Sequence, residues 1–431
     1  MHYDTVIVGG GSSGMAAALA AAGWLDQKDG NLTAEKAQKV LLIDHLDKIG
    51  RKILVTGNGR CNLTNLSQKE EDYRGENPQY AQEIFAQFGL EDTLSMFSKL
   101  GIYTRSKDGY LYPYNEQAAS VRELFQHAID CCPEISVMTD SDVQKIKNNR
   151  SGGYLLTVLR EGENGKRISC QSLILATGGL AGVKLGNDGS GYTFAKSMGH
   201  RIIPPLPSLT ALKSGAPFLK KLSGVRNQAK ITLKVDGREA ASETGELQWT
   251  NYGISGVAVF QLSRFAIIAL EEGKKVEVSI DCLPDMTEEE VIRQFKTFAC
   301  RKNIYELLIG FFPEKLAKVL ARETRLPEEA DVGSFSEEQI KKAADTVKHF
   351  LLKISGYVGY EKAQTTRGGV DTEELTTHLE SKLVPGLFFA GELVDIDGTC
   401  GGYNLQWAFS SGAVAGRSAR VRSRAKDKGK E

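Results

Sequence analysis

The sequence predicts an α/β fold: a parallel Rossmann sheet assembled from both ends of the chain, with an insertion between them. Three observations predict it. Val6-Ile7-Val8 runs into Gly9-Gly10-Gly11-Ser12-Ser13-Gly14 and then the alanine-rich stretch Met15 to Ala20, so strand, glycine turn and helix follow one another. Near the other end, Leu387-Phe388-Phe389 closes on Ala390-Gly391-Glu392, and Gly398 to Asn404 opens a second helix. Past His200 the pattern changes to strand-like alternation and then to helical spacing.

Gly9, Gly11 and Gly14 match G-x-G-x-x-G in its informative context. Gly9 allows the tight turn, Gly11 lets a pyrophosphate approach the backbone, and Gly14 lets helix pack closely on strand. The free N–H groups of this helix start, Ser13 among them, suit phosphate. Lys39 to Ile43 reads as the second parallel strand, closed by Asp44. The fingerprint places an acid about 20 residues beyond the glycines to bind a ribose hydroxyl. Here it stands farther on, and the polar stretch Asp26 to Lys36 reads as an insertion that accounts for the excess. A turn or N-cap role for Asp44 stays open.

Gly50 to Asn65 is a loop with three cations and three asparagines. Lys52, Thr56, Gly57, Arg60, Cys61 and Asn62 there suit a polyanionic, hydrogen-bonding ligand; a solvated turn is the other reading. Tyr80 to Phe88 and Ala118 to Ile129 read as helices, with Tyr110-Leu111-Tyr112-Pro113 breaking between them. Ile135 to Met138 and Tyr154 to Val158 read as strands, the second in a hairpin after Gly152-Gly153. Ser172 to Leu175 reads as a buried parallel strand ending in Ala176-Thr177-Gly178-Gly179, a small-residue turn of the kind that lies against a dinucleotide. From Arg201 to Asp281 the chain is strand-like. Beyond it, Thr287 with Glu290 and Ser336 with Gln339 fit capping boxes. The expected division is 1–200 and 354–431 for the dinucleotide domain, 201–283 for a β-rich insertion and 284–353 for a helical one. The turn Gly401-Gly402-Tyr403-Asn404 before Leu405 is a second helix N-terminus. Its positive end would stabilise charge on a reduced flavin; a plain structural turn is the alternative.

The chain has 431 residues, with 54 basic and 54 acidic, so its formal net charge is zero. That argues against nucleic-acid and membrane-surface partners. The basic stretch Arg417 to Lys430 reads as a solvated, frayed end. Seven cysteines without a C-x-x-C argue against a disulfide scaffold or a metal site and suit a reducing cytoplasm. Neither a signal peptide nor a membrane span is expected. Oligomeric state is not legible.

Over nearly its whole length the chain resembles the bacterial flavoproteins of the YhiN/BaiN type, a family of NAD(P)/FAD-dependent oxidoreductases. The resemblance rests on Gly50-Arg51-Lys52 through Asn65, Ala176 to Gly179, Thr250 to Gly256, Thr366-Arg367-Gly368-Gly369-Val370, and Gly401 to Ala408. It implies a glutathione-reductase-like FAD domain carrying a β-barrel-like and a small helical insertion. It also implies FAD contacts at Gly9, Gly11, Gly14, Asp44, Lys52, Arg60, Asn62, Thr177, Gly391 and Gly402–Leu405, with Gly178 and Glu392 beside them and Val143 touching adenine through its backbone. One member type is linked to reduction of carbon–carbon double bonds in oxidised bile-acid intermediates. Two departures stand out: Asn251 replaces the family's usual His, and Asp44 stands where Glu is common.

Only one G-x-G-x-x-G follows a strand, and FAD would occupy it. NAD(P)H, as a possible reductant, would then bind transiently; another electron donor stays open. Reduction of an enone needs a donor that polarises the carbonyl or protonates carbon. Arg60, Tyr403 and Arg367 are the candidates. Arg367 could instead pair with Asp371, Glu373 or Glu374, Tyr403 could cap its turn, and Cys61 could be a small buried side chain. The expected function is an FAD-dependent reductase of a hydrophobic, conjugated small molecule in an inter-domain cleft. A flavin-bound redox sensor or binding protein and an FAD-dependent RNA-modifying enzyme are the alternatives.

Overall fold

The structure, a computed structural model, describes residues 1–26, 38–149, 152–160, 165–297 and 302–428. Most of the polar insertion at 26–36 and the last residues of the basic stretch lie outside the described residues. The chain divides into two compact units, 1–205 with 365–431, and 206–364.

The first unit is built on β1 (His2–Val8), β2 (Val40–Ile43), β3 (Ile135–Met138), β4 (Ser141–Asn148), β5 (Tyr154–Arg160), β6 (Lys166–Leu175) and β7 (Leu387–Phe389). Pairing runs β3-β2-β1-β6-β5-β4, and β7 joins β6. β1, β2, β3, β6 and β7 are parallel; β4 and β5 add an antiparallel extension. The parallel strands are continuous apolar runs because both faces are covered: Val6, Ile7, Leu42, Leu173 and Phe388 are all fully buried.

Two helices lie against this sheet, α1 (Ser12–Ala21) and α2 (Tyr403–Lys428). They cross on small residues. A Cβ at Gly412 would stand 2.2 Å from the Ser13 carbonyl oxygen, and one at Gly416 would stand 2.4 Å from that of Ala17. The chain's two ends are thus locked together. α2 runs on to Lys428, and three of its arginines are docked. Arg417 and Arg420, three apart on one helix face, both pair with Asp26, at 2.8 and 3.2 Å; Arg422 reaches Glu380 at 2.6 Å. The expectation of a frayed tail from Arg417 is therefore corrected: its first residues are a packed face.

His200 is buried behind β7, its ring edge-on to Phe389. Nδ1 meets Glu374 at 2.9 Å and Nε2 meets the Ser381 hydroxyl at 2.8 Å. Burial pushes the imidazole below its ordinary pKa, against the pull of Glu374. Ser381 also accepts N–H bonds from Leu383 and Val384. This triad-like set is a buried bolt between segments.

In the second unit one sheet pairs in the order Phe350–Ile354, Val276–Asp281, Arg226–Val235, Arg238–Thr250, Gly253–Ser255, Leu212–Lys213 and Gly356–Tyr357. The stretch read as strand-like also holds a helix, Val257–Glu271. Eight of its residues are buried, and apolar Phe260, Phe265 and Ile268 occupy the half-buried face, so its apolar pattern carries no clear period. Helices Glu288–Thr297 and Glu337–Lys348 begin as their caps predict: Thr287 and Glu290 bond reciprocally, as do Ser336 and Gln339; Glu314–Glu323 lies between them. These helices and the sheet share one core, with Phe295, Leu320 and Val347 packed beside Trp249, Ile280 and Leu352. The expected boundary at 283/284 falls inside that core, and the sheet continues past 354 to Tyr357.

Candidate active site

The glycine turn after β1 has the geometry the motif requires. Gly9 has φ +105°, and a Cβ there would stand 2.4 Å from the Ala176 carbonyl oxygen; at Gly14 one would stand 1.8 Å from that of Gly9. Only Gly11 is different: nothing lies within 4 Å of its added Cβ. The protein itself has no need of a glycine there. The need comes from something that approaches the turn, which is the role of the middle glycine against a pyrophosphate.

Asp44 closes β2 and faces this turn. Its Oδ2 accepts the Gly10 N–H at 2.7 Å and its Oδ1 that of Leu46 at 2.8 Å. Burial raises its pKa, with both N–H bonds opposing. An ionised carboxylate still has lone pairs for a ribose hydroxyl. The Thr177 hydroxyl, at the end of β6, is buried with no hydrogen-bond partner among the described residues. Gly178 has φ +76° and lies on Asn187, whose amide donates to the Ala181 carbonyl.

The loop after Gly50 is a kinked 3₁₀ segment, Arg51–Gly59. Gly57, Asn58, Gly59 and Cys61 all have positive φ, from +55° to +85°. Non-glycine residues held there carry strain of order 1 kcal/mol or more each. Thr56 donates to the Ile53 carbonyl at 2.6 Å, and Cys61 is fully buried with its thiol pushed up to about 11 by desolvation. It stays protonated and is no nucleophile. The Asn62 carbonyl oxygen is buried without a partner among the described residues. Lys52 forms a 2.6 Å ion pair with Glu392, whose other oxygen accepts the Thr366 N–H at 2.8 Å. The Thr366 hydroxyl in turn accepts the N–H groups of Leu180 and Ala181, at 2.8 and 2.9 Å. Sequence reasoning passed over Thr366 as a site residue. It stood in the run Thr366-Arg367-Gly368-Gly369-Val370, read as a family motif and for its cation.

The start of α2 meets the same region. Gly391 donates to Ser411 at 2.9 Å and accepts from the Trp407 indole at 3.0 Å; a Cβ on it would stand 2.5 Å from Ser13 Oγ. Gly402, φ +98°, lies on the Thr64 backbone. Asn404 bonds both the N–H and the carbonyl of Gly398 at 2.9 Å, and Leu405 is half-buried against the core. The Tyr403 hydroxyl is engaged with Asp72, and burial pushes it well above its ordinary value. It is a weak acid held on a carboxylate. Arg367 does not pair with the acids expected. Asp371 goes to Arg201 at 2.9 Å, Glu374 goes to His200, and the Arg367 Nε is buried without a partner among the described residues. Val143 lies on β4 opposite Val158, and no described bond joins it to the others.

An open glycine cradle, with three buried polar atoms on Asn62, Thr177 and Arg367 that have no partner among the described residues, fits a large polar dinucleotide. The model of the HI0933-like protein Rossmann domain matches residues 3–418. The chain belongs to the HI0933-like family. Within it, this chain is 40% identical over 420 residues to the 3-dehydro-bile acid delta(4,6)-reductase of Clostridium scindens, covering 96% of this chain and 98% of that one. It is 32% identical over 416 residues to the ribosomal RNA dihydrouridine synthase of Haemophilus influenzae, covering 95% and 96%. A solved quinol–fumarate reductase with menaquinol aligns over 99% of this chain and 72% of its own, with TM-score 0.51 and 15% identity, a likeness of fold. This HI0933-like chain is an FAD-dependent oxidoreductase. Among the described residues no helix is long and apolar enough to cross a membrane, and no cluster of His, Cys, Asp and Glu is placed to hold a metal.

Proposed function

We propose that the chain reduces a carbon–carbon double bond conjugated to a carbonyl in a steroid-like small molecule, with NADH or NADPH as the transient reductant. The single observation that carries this reading is the 40% identity to the bile-acid reductase across almost the full length of both chains. When bound, FAD supplies hydride transfer; the protein positions and shields it. In this reading the Gly9–Gly14 turn with Ser13 receives the pyrophosphate, Asp44 the ribose, and Lys52, Asn62, Thr177 and Gly402–Leu405 surround the ring system. The Lys52–Glu392–Thr366 chain holds the turn after β6 and the strand Thr365–Val370 in one register. Arg60 and Arg367 supply positive charge at an oxygen that becomes anionic as the double bond is reduced.

The dihydrouridine synthase relative favours a second reading, reduction of a uracil ring in RNA. Both relatives' names describe hydrogenation of a double bond conjugated to a carbonyl, so the same chemistry serves either substrate. Zero net charge and the higher identity favour the small molecule. The described cysteines are all unpaired, which supports a cytoplasmic setting.

The first test is anaerobic mixing of the flavin-loaded protein with NADH or NADPH. Loss of the visible flavin absorbance within seconds is expected with one of them. If neither nicotinamide bleaches it, the nicotinamide-linked part of the proposal fails.

A further inference from the structure

A three-stranded sheet beside the start of α2 carries groups that the flavin does not explain. Tyr110–Pro113 lies between Thr64–Asn65 and Thr104–Lys107. Alternate residues of a strand share a face. Leu111 and Pro113 are buried, so Tyr110 and Tyr112 stand together on the opposite, half-exposed face. The Tyr110 ring borders the glycine turn: a Cβ at Gly401 would lie 2.7 Å from its Cε1 and 3.3 Å from Cε2 of Tyr403. The tyrosine face therefore adjoins the helix N-terminus read as the flavin-facing one.

Around this face the polar groups are unspent. Neither the Tyr110 nor the Tyr112 hydroxyl has a hydrogen-bond partner among the described residues, and the exposed Arg60 has no carboxylate partner among them. The Leu63 N–H bonds the Leu111 carbonyl at 2.8 Å, which brings the segment that carries Arg60 alongside the one that carries Tyr112; burial raises the Tyr112 pKa and the Arg60 guanidinium opposes it. Cys400, next to Gly401 in the chain, has its thiol pushed up to about 11 by burial and so stays neutral. Tyr403, by contrast, is committed to Asp72.

A phenol O–H and a guanidinium on adjoining segments can offer N–H and O–H donors to one oxygen. An oxygen that gains negative charge during reaction benefits most from such a pair. Two tyrosine faces at i and i+2 offer flat, largely apolar surface to a fused-ring molecule. We propose that Tyr112 and Arg60 bind the ketone oxygen of the conjugated substrate, with the Tyr110 ring packed against the substrate's rings. This rests on the small-molecule enone reading above. It moves the phenol role from Tyr403 to Tyr112.

The test is equilibrium binding to the oxidised, flavin-loaded protein, read from the perturbed flavin spectrum. The probes are a conjugated 3-keto bile acid, its 3-hydroxy counterpart and a uridine-rich oligonucleotide. Tyr112→Phe keeps the ring and should hold parental flavin content and melting temperature; Arg60→Gln is compared with the parent at matched flavin loading. Each should weaken keto-acid binding roughly tenfold and leave the hydroxy acid unaffected. If the parent binds the keto acid and both variants bind it equally well, this assignment is wrong and the enone reading stands. If the parent binds no keto acid, the enone reading itself falls. Oligonucleotide binding weakened by the same two variants would then transfer the face to RNA.

Discussion

A Gly11→Val variant is expected to fold like the parent and to purify without flavin. The backbone of Gly11, φ −71° and ψ −171°, is open to any residue, and an added Cβ meets no protein atom within 4 Å. A side chain there costs the fold little. It occupies the space through which a pyrophosphate reaches the turn's N–H groups, and ligand and side chain cannot share it. Affinity for FAD should fall by about a hundredfold or more, roughly 3 kcal/mol. Gly14→Val is the contrasting case, since its Cβ would stand 1.8 Å from the Gly9 oxygen and the fold itself would yield. The flavin-to-protein ratio and the melting temperature of the apoproteins separate the two. A yellow Gly11→Val protein would contradict the placement.

Gly412→Val should cost more, because it strikes the crossing of α1 and α2. Its Cβ would stand 2.2 Å from the Ser13 carbonyl oxygen, and both partners are helix backbone with no side chain to swing away. The helices must separate, which opens the core formed by Ala16, Ala20, Ala413 and Ala419. Overpacking of this kind costs on the order of 3 kcal/mol when the neighbours cannot relax. Flavin should be lost with it, since Ser13 and the glycine turn ride on α1. A thermal melt and the flavin ratio report the two effects together; an unchanged melt would show that the crossing tolerates a wider spacing.

The parallel sheet was legible because its strands are covered on both faces and read as unbroken apolar runs closed by glycine turns. The capping boxes at Thr287 and Ser336 were legible because a cap is local chemistry. What escaped was set by tertiary packing. Val257–Glu271 carries apolar residues on its half-buried face too, Phe260, Phe265 and Ile268 among them, so its helical period is blurred. The strand Tyr110–Pro113 reads as a helix breaker because a four-residue strand ending in Pro needs its neighbours to define it. At the site, cations and glycines could be picked out one by one, but their partners could not. Glu374 and Asp371 both lie within seven residues of Arg367, yet the fold gives them to His200 and Arg201 and leaves the Arg367 Nε without a partner among the described residues. Thr366 escaped because a hydroxyl that takes two backbone N–H groups looks like any other threonine in a sequence.

Asn251 shows what a missing residue settles. A histidine-based proton transfer at that position is not available to this chain, so its donors must come from elsewhere. Arg60, the Arg367 Nε and the Tyr110 and Tyr112 hydroxyls are donors without hydrogen-bond partners among the described residues.

The most direct measurement of the central claim is anaerobic. The flavin-loaded protein is reduced photochemically, without nicotinamide, and mixed with a conjugated 3-keto bile acid. The account predicts that the oxidised flavin spectrum returns and that the acid gains two hydrogens, in equal amounts. A flavin that stays reduced with the keto acid, but is reoxidised by unmodified ribosomal RNA, would contradict it.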